Sequence, residues 1–196
     1  NFYTPRDAIK LMVDILITND DDGLAGESAL RSIYDPTAGS GGMLLVAQDA
    51  LKRMNEKIDV TLYGQELMPS AFALGKADLL IQGGRPDAIK QGNPLIEDLY
   101  ADQTFDYVLS NPPFGNDWEA DEKAVKEQAK VHGSRFSHGL PGTSDGQMLF
   151  LAHCASKLSP AAKNGQGGRA AVVSNQSPLF NSDNGPNSIR QWLLEE

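Results

Sequence analysis

Two short motifs carry residue types that could do chemistry together. The first is Asn111-Pro112-Pro113-Phe114. The Asn111 amide oxygen accepts hydrogen bonds, and the Pro112 carbonyl, whose direction the ring constrains, supplies a second acceptor nearby. Phe114 adds a flat apolar face. Such a set suits a planar molecule with an exocyclic amine, adenine for example: the two acceptors take the amine hydrogens while the ring stacks on the base. The tetrapeptide follows Phe105-Asp106-Tyr107-Val108-Leu109-Ser110, a strand-like run. Two successive prolines lack the N–H a ladder needs, so the strand stops there and presents a rigid tip. Taken alone, that tip would also read as a proline-capped strand end with no chemistry.

The second motif weighs against that plainer reading. It runs Asp35-Pro36-Thr37-Ala38-Gly39-Ser40-Gly41-Gly42 and lies between a short apolar stretch and Met43-Leu44-Leu45-Val46-Ala47, where apolar residues begin to recur at helical spacing. The pattern is strand, tight turn, helix. Glycines allow positive φ and close backbone approach to a ligand, and a helix start beyond them offers free N–H groups. The spacing departs from the dinucleotide fingerprint, because Leu44 stands where its third glycine would fall. A carboxylate at position 35 repels a pyrophosphate and suits a cation with an amino group. S-adenosylmethionine, with an ammonium and a sulfonium, is such a ligand. A third element ends in Gly64-Gln65-Glu66, and Glu66 lies 24 residues after Gly42. An acid about 20 residues beyond the turn holds a ribose diol in nucleoside-binding α/β folds. By itself Glu66 would be an exposed strand-end acid; behind the other two motifs it reads as a ribose ligand.

The elements that must position these groups alternate. Helices are expected over 7–17, 42–54, 69–82, 147–158 and 188–194, and strands over 32–35, 61–65, 88–91, 106–110 and 169–174. Strands alternating with helices imply a parallel sheet covered on both faces. Ligands of such sheets bind beyond the carboxyl ends of the strands, and Asp35, Glu66, Asn93 and Asn111 each fall at or just past such an end. Between them and the helix at 147 runs a long polar segment, Gly115 to Gly146. Its 118–130 portion has the charge of an exposed helix, and 132–144 reads as loop. The segment is expected either to cover the substrate or to be a solvent-exposed insertion.

Composition bounds the class. The 196 residues, 40% hydrophobic, are enough for one good core. No apolar run is long enough to span a bilayer, and no basic-then-apolar leader opens the chain, so no membrane partner is expected. The single cysteine, Cys154, excludes an internal disulfide and fits a reducing, cytoplasmic location. It lies in an apolar helical run and reads as a buried small hydrophobe rather than a nucleophile. His132, His138 and His153 show no metal-ligand spacing, and no metal is expected. The net charge of −9 is unlike that of a protein gripping phosphates. If nucleic acid is the substrate, the basic surface lies elsewhere, or this domain handles only an extruded base.

In order and spacing, these motifs resemble those of the modification subunit of type I restriction–modification systems, class I adenine-specific DNA methyltransferases. The resemblance runs nearly the whole chain. Asn1-Phe2-Tyr3-Thr4-Pro5-Arg6 is similar to the family's segment before the first helix, Asp35 to Gly42 to its glycine-rich turn, Gly64-Gln65-Glu66 to its ribose acid and Asn111 to Phe114 to its catalytic motif. Asp145-Gly146-Gln147-Met148-Leu149-Phe150 and Gly167-Gly168-Arg169-Ala170-Ala171-Val172-Val173 are similar to later core segments. One departure stands out: the family commonly has Gly-Asp where this chain has Gly92-Asn93.

The resemblance implies a Rossmann-like S-adenosylmethionine-dependent methyltransferase fold, with residues 1–196 as a catalytic-domain fragment truncated at its C-terminal end and lacking the family's N-terminal helical domain. It implies S-adenosylmethionine held by Phe2, Tyr3, Thr4, Pro5, Asp35, Thr37, Gly39, Ser40, Gly41, Glu66 and Asn93. Asn111, Pro112, Pro113 and Phe114 are the implied catalytic residues. The implied partners are double-stranded DNA, a specificity subunit and a restriction subunit. The same tip would serve a glutamine amide or an RNA base, and a domain keeping only the fold would act as a scaffold. A nicotinamide-dependent oxidoreductase would want the missing third glycine.

Overall fold

The computed structural model describes residues 4–18, 24, 29–161 and 167–195. Phe2 and Tyr3 therefore lie outside the described residues. Helix α1 (Arg6–Ile17) leads into β1 (Leu30–Asp35), α2 (Gly42–Met54), β2 (Asp59–Glu66), α3 (Pro69–Ile81) and β3 (Ile89–Gln91). Then follow β4 (Tyr107–Ser110), α4 (Glu122–Ala129), α5 (Gln147–Ser156), β5 (Arg169–Val172), the single turn α6 (Ser177–Phe180) and α7 (Asn184–Glu195).

Among the described residues the five strands form one sheet in the order β3-β2-β1-β4-β5, with every pairing parallel. Parallel neighbours need crossovers, and α2 and α3 supply the first two. The period-2 pleat divides the strand residues between two cores. Ile33, Leu62, Tyr107 and Leu109 pack with the buried stripes of α1 and α2. Tyr34 and Val108 face the opposite side, where Tyr100, Phe105 and Cys154 of α5 meet them. Tyr34 stacks on Phe105 with ring centroids 4.6 Å apart. Burying both sheet faces explains why these strands read as apolar runs.

Sequence order reverses direction between β1 and β4, the neighbours from which the chain winds outward both ways. Crevices open at the carboxyl ends of such strands. Asp35 ends one of these strands and Asn111 follows the other.

Most element ends lie within one or two residues of expectation, and four helical differences have a visible cause. Helix α5 stops at Ser156 because Lys157 and Leu158 leave it to pair with Phe105, whose N–H donates to the Lys157 carbonyl at 2.8 Å. Helix α7 begins at Asn184 although Gly185 and Pro186 read as breakers. A proline in the first turn removes an N–H that has no intrahelical partner. Ser177–Phe180, which lies outside the expected helices, is a helical turn with Pro178 near its start. Within the polar segment, the helix covers only 122–129, after a 3-10 turn at 119–121.

That segment is packed. Trp118, Val125 and Phe136 are buried with Leu95, Leu149 of α5 and Ile189 of α7 in a third core. The Trp118 indole donates to the Gly142 carbonyl at 3.0 Å. Arg135 donates to the Pro94 and Leu95 carbonyls, to Gln128 Oε1 and to His153 Nδ1.

Candidate active site

The glycine turn folds back over the end of β2. Gly39 and Gly41 hold φ of +55° and +76°, a region closed to most side chains, and Gly41 sits in this conformation at the N-cap of α2. The Ala38 N–H donates to the Gln65 carbonyl at 3.0 Å. The approach is close enough that a Cβ at Gly64 would stand 2.9 Å from Ala38 Cβ. This turn and the tip after β4 share one cavity of about 580 Å³, which Asp35, Gly39, Glu66, Asn93, Asn111 and Phe114 all line.

Asp35 is fully buried. Its Oδ1 accepts from the Thr37 N–H at 2.8 Å and from Thr37 Oγ1 at 3.2 Å. With its proton on Asp35, Thr37 Oγ1 accepts from Ser110 Oγ at 2.9 Å, which ties the turn after β1 to the end of β4. Burial pushes the Asp35 carboxyl up to about 7; the Thr37 hydrogen bonds oppose that rise and the charge of Glu66 adds to it. Asp35 Oδ2 has no hydrogen-bond partner.

Glu66 is 8% exposed and uses both oxygens locally. Oε2 accepts from the Gly39 N–H and Oε1 from the Met68 N–H, each at 2.7 Å. A carboxylate oxygen has a second lone pair, so acceptor capacity remains. The Asn93 amide donates to Asp121 Oδ2 at 2.8 Å and accepts from the Leu95 N–H at 3.0 Å, which fixes that wall to the 115–146 segment.

At the tip, Pro112 is buried, Phe114 half-buried and Pro113 exposed, and all three line the cavity. Asn111 Nδ2 donates to Thr4 Oγ1 at 2.9 Å. Asn111 Oδ1 is buried without a partner. Among the described residues, Asp35 Oδ2 and Asn111 Oδ1 are the two buried side-chain polar atoms left unpaired, and both residues line this cavity. Unpaired buried acceptors cost free energy, and a donor ligand relieves that cost.

The structure thus brings Thr4, Asp35, Thr37, Gly39, Ser40, Glu66, Asn93 and the four tip residues to one cavity. Pro5 is exposed outside the lining, and its carbonyl accepts from the Ile9 N–H of α1. Gly41 shapes the turn without lining the cavity. Sequence reasoning passed over Met43, Leu67, Met68, Leu74, Asn116 and Phe150, which also line it. Leu67 and Met68 directly follow the strand-end acid, and that adjacency was the available signal; Phe150 reaches the cavity only through the docking of α5.

A family model described as N-6 DNA Methylase matches residues 1–196. The chain is 35% identical to the type I restriction enzyme MjaIX methylase subunit of Methanocaldococcus jannaschii over 168 residues, 84% of this chain and 28% of the relative. The solved type I restriction-modification methyltransferase subunit from Streptococcus thermophilus is similar with a TM-score of 0.77 at 30% identity, over 100% of this chain and 38% of that one. The EcoKI M protein is similar with a TM-score of 0.67 at 25% identity, over 97% and 37% respectively. This chain spans well under half the length of each of these relatives. The fold is the Rossmann-like one of S-adenosylmethionine-dependent methyltransferases. The chain belongs to the N-6 DNA methylase family.

Proposed function

We propose that this chain is the catalytic domain of a type I modification subunit, which transfers a methyl group from S-adenosylmethionine to the exocyclic amine of adenine in DNA. The observation that carries the proposal is the pair of unpaired buried acceptors, Asp35 Oδ2 and Asn111 Oδ1, in one cavity at the switch point of the sheet. The names of the relatives, type I restriction enzyme methylase subunits, point the same way.

When bound, S-adenosylmethionine supplies an electrophilic methyl group on a sulfonium. Its donor set fits the residues present. Asp35 offers a buried carboxylate to a cationic group, Glu66 offers spare lone pairs to a diol, and the apolar wall of Leu67, Met68 and Leu74 suits a flat base. On the substrate side the adenine leaves the duplex stack, because an amine inside the helix cannot reach a recessed site. Phe114 stacks on the extruded base. Asn111 Oδ1 and the Pro112 carbonyl accept the two amine hydrogens, which raises sp3 character at the nitrogen and aims its lone pair into the cavity. Positioning carries much of the rate, and the buried Cys154 has no part in it. The chain's negative charge assigns phosphate contacts to other parts of the assembly, with the specificity and restriction subunits as proposed partners.

Calorimetric titration with S-adenosylmethionine, with NAD as control, tests the cofactor half. Binding of the former alone, lost in Asp35→Ala, is expected. Binding of neither in the full-length protein would refute it.

A further inference from the structure

We infer that Thr4 is a positioning residue for Asn111, and that its hydroxyl decides which end of the catalytic amide faces the cavity. This inference rests on the methyl-transfer reading. An amide side chain has two ends of nearly equal size and opposite chemistry: the oxygen accepts and the NH2 donates. Transfer from an amine needs the accepting end. Asn111 reversed about its terminal torsion would aim a donor at another donor.

The geometry around Thr4 selects the orientation. Thr4 Oγ1 lies 3.4 Å from Met43 Sδ. A thioether sulfur has no proton to give, so the contact takes the single proton of the Thr4 hydroxyl. The Thr4 oxygen is left as an acceptor, and it accepts from Asn111 Nδ2 at 2.9 Å. Reversing the amide would draw the Thr4 proton to Asn111 Oδ1, end the Met43 contact and leave the Asn111 NH2 facing the cavity. The short relay from Met43 through Thr4 to Asn111 therefore turns Oδ1 to the cavity, where it is the unpaired buried acceptor of the tip. The relay joins the start of α1, the first turn of α2 and the end of β4, three elements that only the folded sheet brings together. It also gives Thr4 a task other than binding the cofactor, although it lines the cavity.

The test compares Thr4→Val, which keeps the shape and loses the acceptor, with Thr4→Ser, which keeps the hydroxyl. Both are made in the full-length protein in its assembled complex. Thr4→Val is expected to lower kcat about a hundredfold, as misplacing a reacting group does. Because Thr4 lines the cavity, some S-adenosylmethionine affinity is lost as well, but by less than about a tenfold step in Kd against the roughly hundredfold fall in kcat. Thr4→Ser should restore kcat. Nitrogen-edited NMR should show the Asn111 side-chain NH2 protected from exchange in wild type and Thr4→Ser and exposed in Thr4→Val. Three results would each overturn the inference: Thr4→Val with unchanged kcat, Thr4→Val losing cofactor affinity in step with activity, or Thr4→Ser failing as Thr4→Val does. A wild-type complex that binds S-adenosylmethionine yet methylates no DNA would refute the underlying reading instead, and is told apart by the absence of any activity to lose.

Discussion

Glu66 Oε2 accepts the backbone N–H of Gly39 at 2.7 Å, so the acid that ends the second strand also closes the turn that follows the first. The residue read from sequence as a ribose ligand therefore holds the turn. Glu66→Ala leaves the Gly39 and Met68 N–H groups without their acceptor. A cost of about 1–3 kcal/mol in stability is expected, together with loss of S-adenosylmethionine binding. Denaturant unfolding and calorimetry on the same variant would show both. A pure ribose ligand would lose affinity with stability unchanged.

Asp35 sets a pH dependence. Its carboxyl rises from 3.8 to about 7 on folding, mainly through burial. Between those values the folded protein holds a proton that the unfolded chain has released. Stability from this group therefore falls as pH rises from 3.8 towards 7, and stays at the lower level above. Asp35→Asn should be more stable than wild type above pH 7, by on the order of a few kcal/mol, and nearly equal to it below about pH 4. A cationic ligand favours the ionised form. Affinity for S-adenosylmethionine should therefore climb with pH through about 7, and calorimetry in buffers of different ionisation enthalpy should detect proton release on binding.

His153 behaves in the opposite sense. Burial, with the Arg135 cation adding, holds it down at about 3 from an ordinary 6.5. The guanidinium donates to Nδ1, so the ring proton is on Nε2 and is given to the Tyr34 hydroxyl at 3.1 Å. Its contribution to stability is whole above 6.5 and is lost as pH falls towards 3. His153→Gln should flatten the acid limb of a stability-against-pH curve over that window.

Arg135→Met removes the donors of the Pro94 carbonyl and of His153 Nδ1, and one of two donors of the Leu95 carbonyl, which keeps Gln128 Nε2 at 2.9 Å. Each buried group left unpaired costs about 1–3 kcal/mol. The expected result is a large fall in Tm together with weaker S-adenosylmethionine binding, because the same carbonyls flank Asn93 in the cavity wall. A fall in Tm alone would show that the wall is held independently.

Phe114→Ala should weaken the hold on the extruded base by about 1–3 kcal/mol, the range for base stacking on an aromatic side chain. The readouts are a raised KM for DNA and a smaller fluorescence rise from 2-aminopurine at the target position. Cofactor affinity should not change.

Much of the site was legible because β1, β2 and β4 each end in a polar residue that an apolar run makes conspicuous. Asp35, Glu66 and Asn111 stood out for that reason, and the glycines between 39 and 42 marked the turn. The alternation of elements gave the parallel sheet, although its order followed only from the pairings. The polar segment was harder. Its charge hid two aromatic anchors, Trp118 and Phe136, and a half-buried cation, Arg135, which donates to the Pro94 and Leu95 carbonyls, partners that leave no pattern of side chains. Asp121, which holds Asn93, looks in sequence like any exposed acid. The Thr4–Asn111 contact spans 107 positions and has no local signal at all.

The most direct test follows labelled methyl groups from S-adenosylmethionine into duplex DNA by the assembled full-length complex, beside the Asn111→Ala variant. The expected product is N6-methyladenine, identified by mass spectrometry. The variant should bind S-adenosylmethionine as wild type does while transfer falls at least about a hundredfold, the scale for losing one preorganised hydrogen-bonding group. Label recovered on protein or RNA instead of adenine, or an Asn111→Ala variant that methylates DNA at the wild-type rate, would contradict the account.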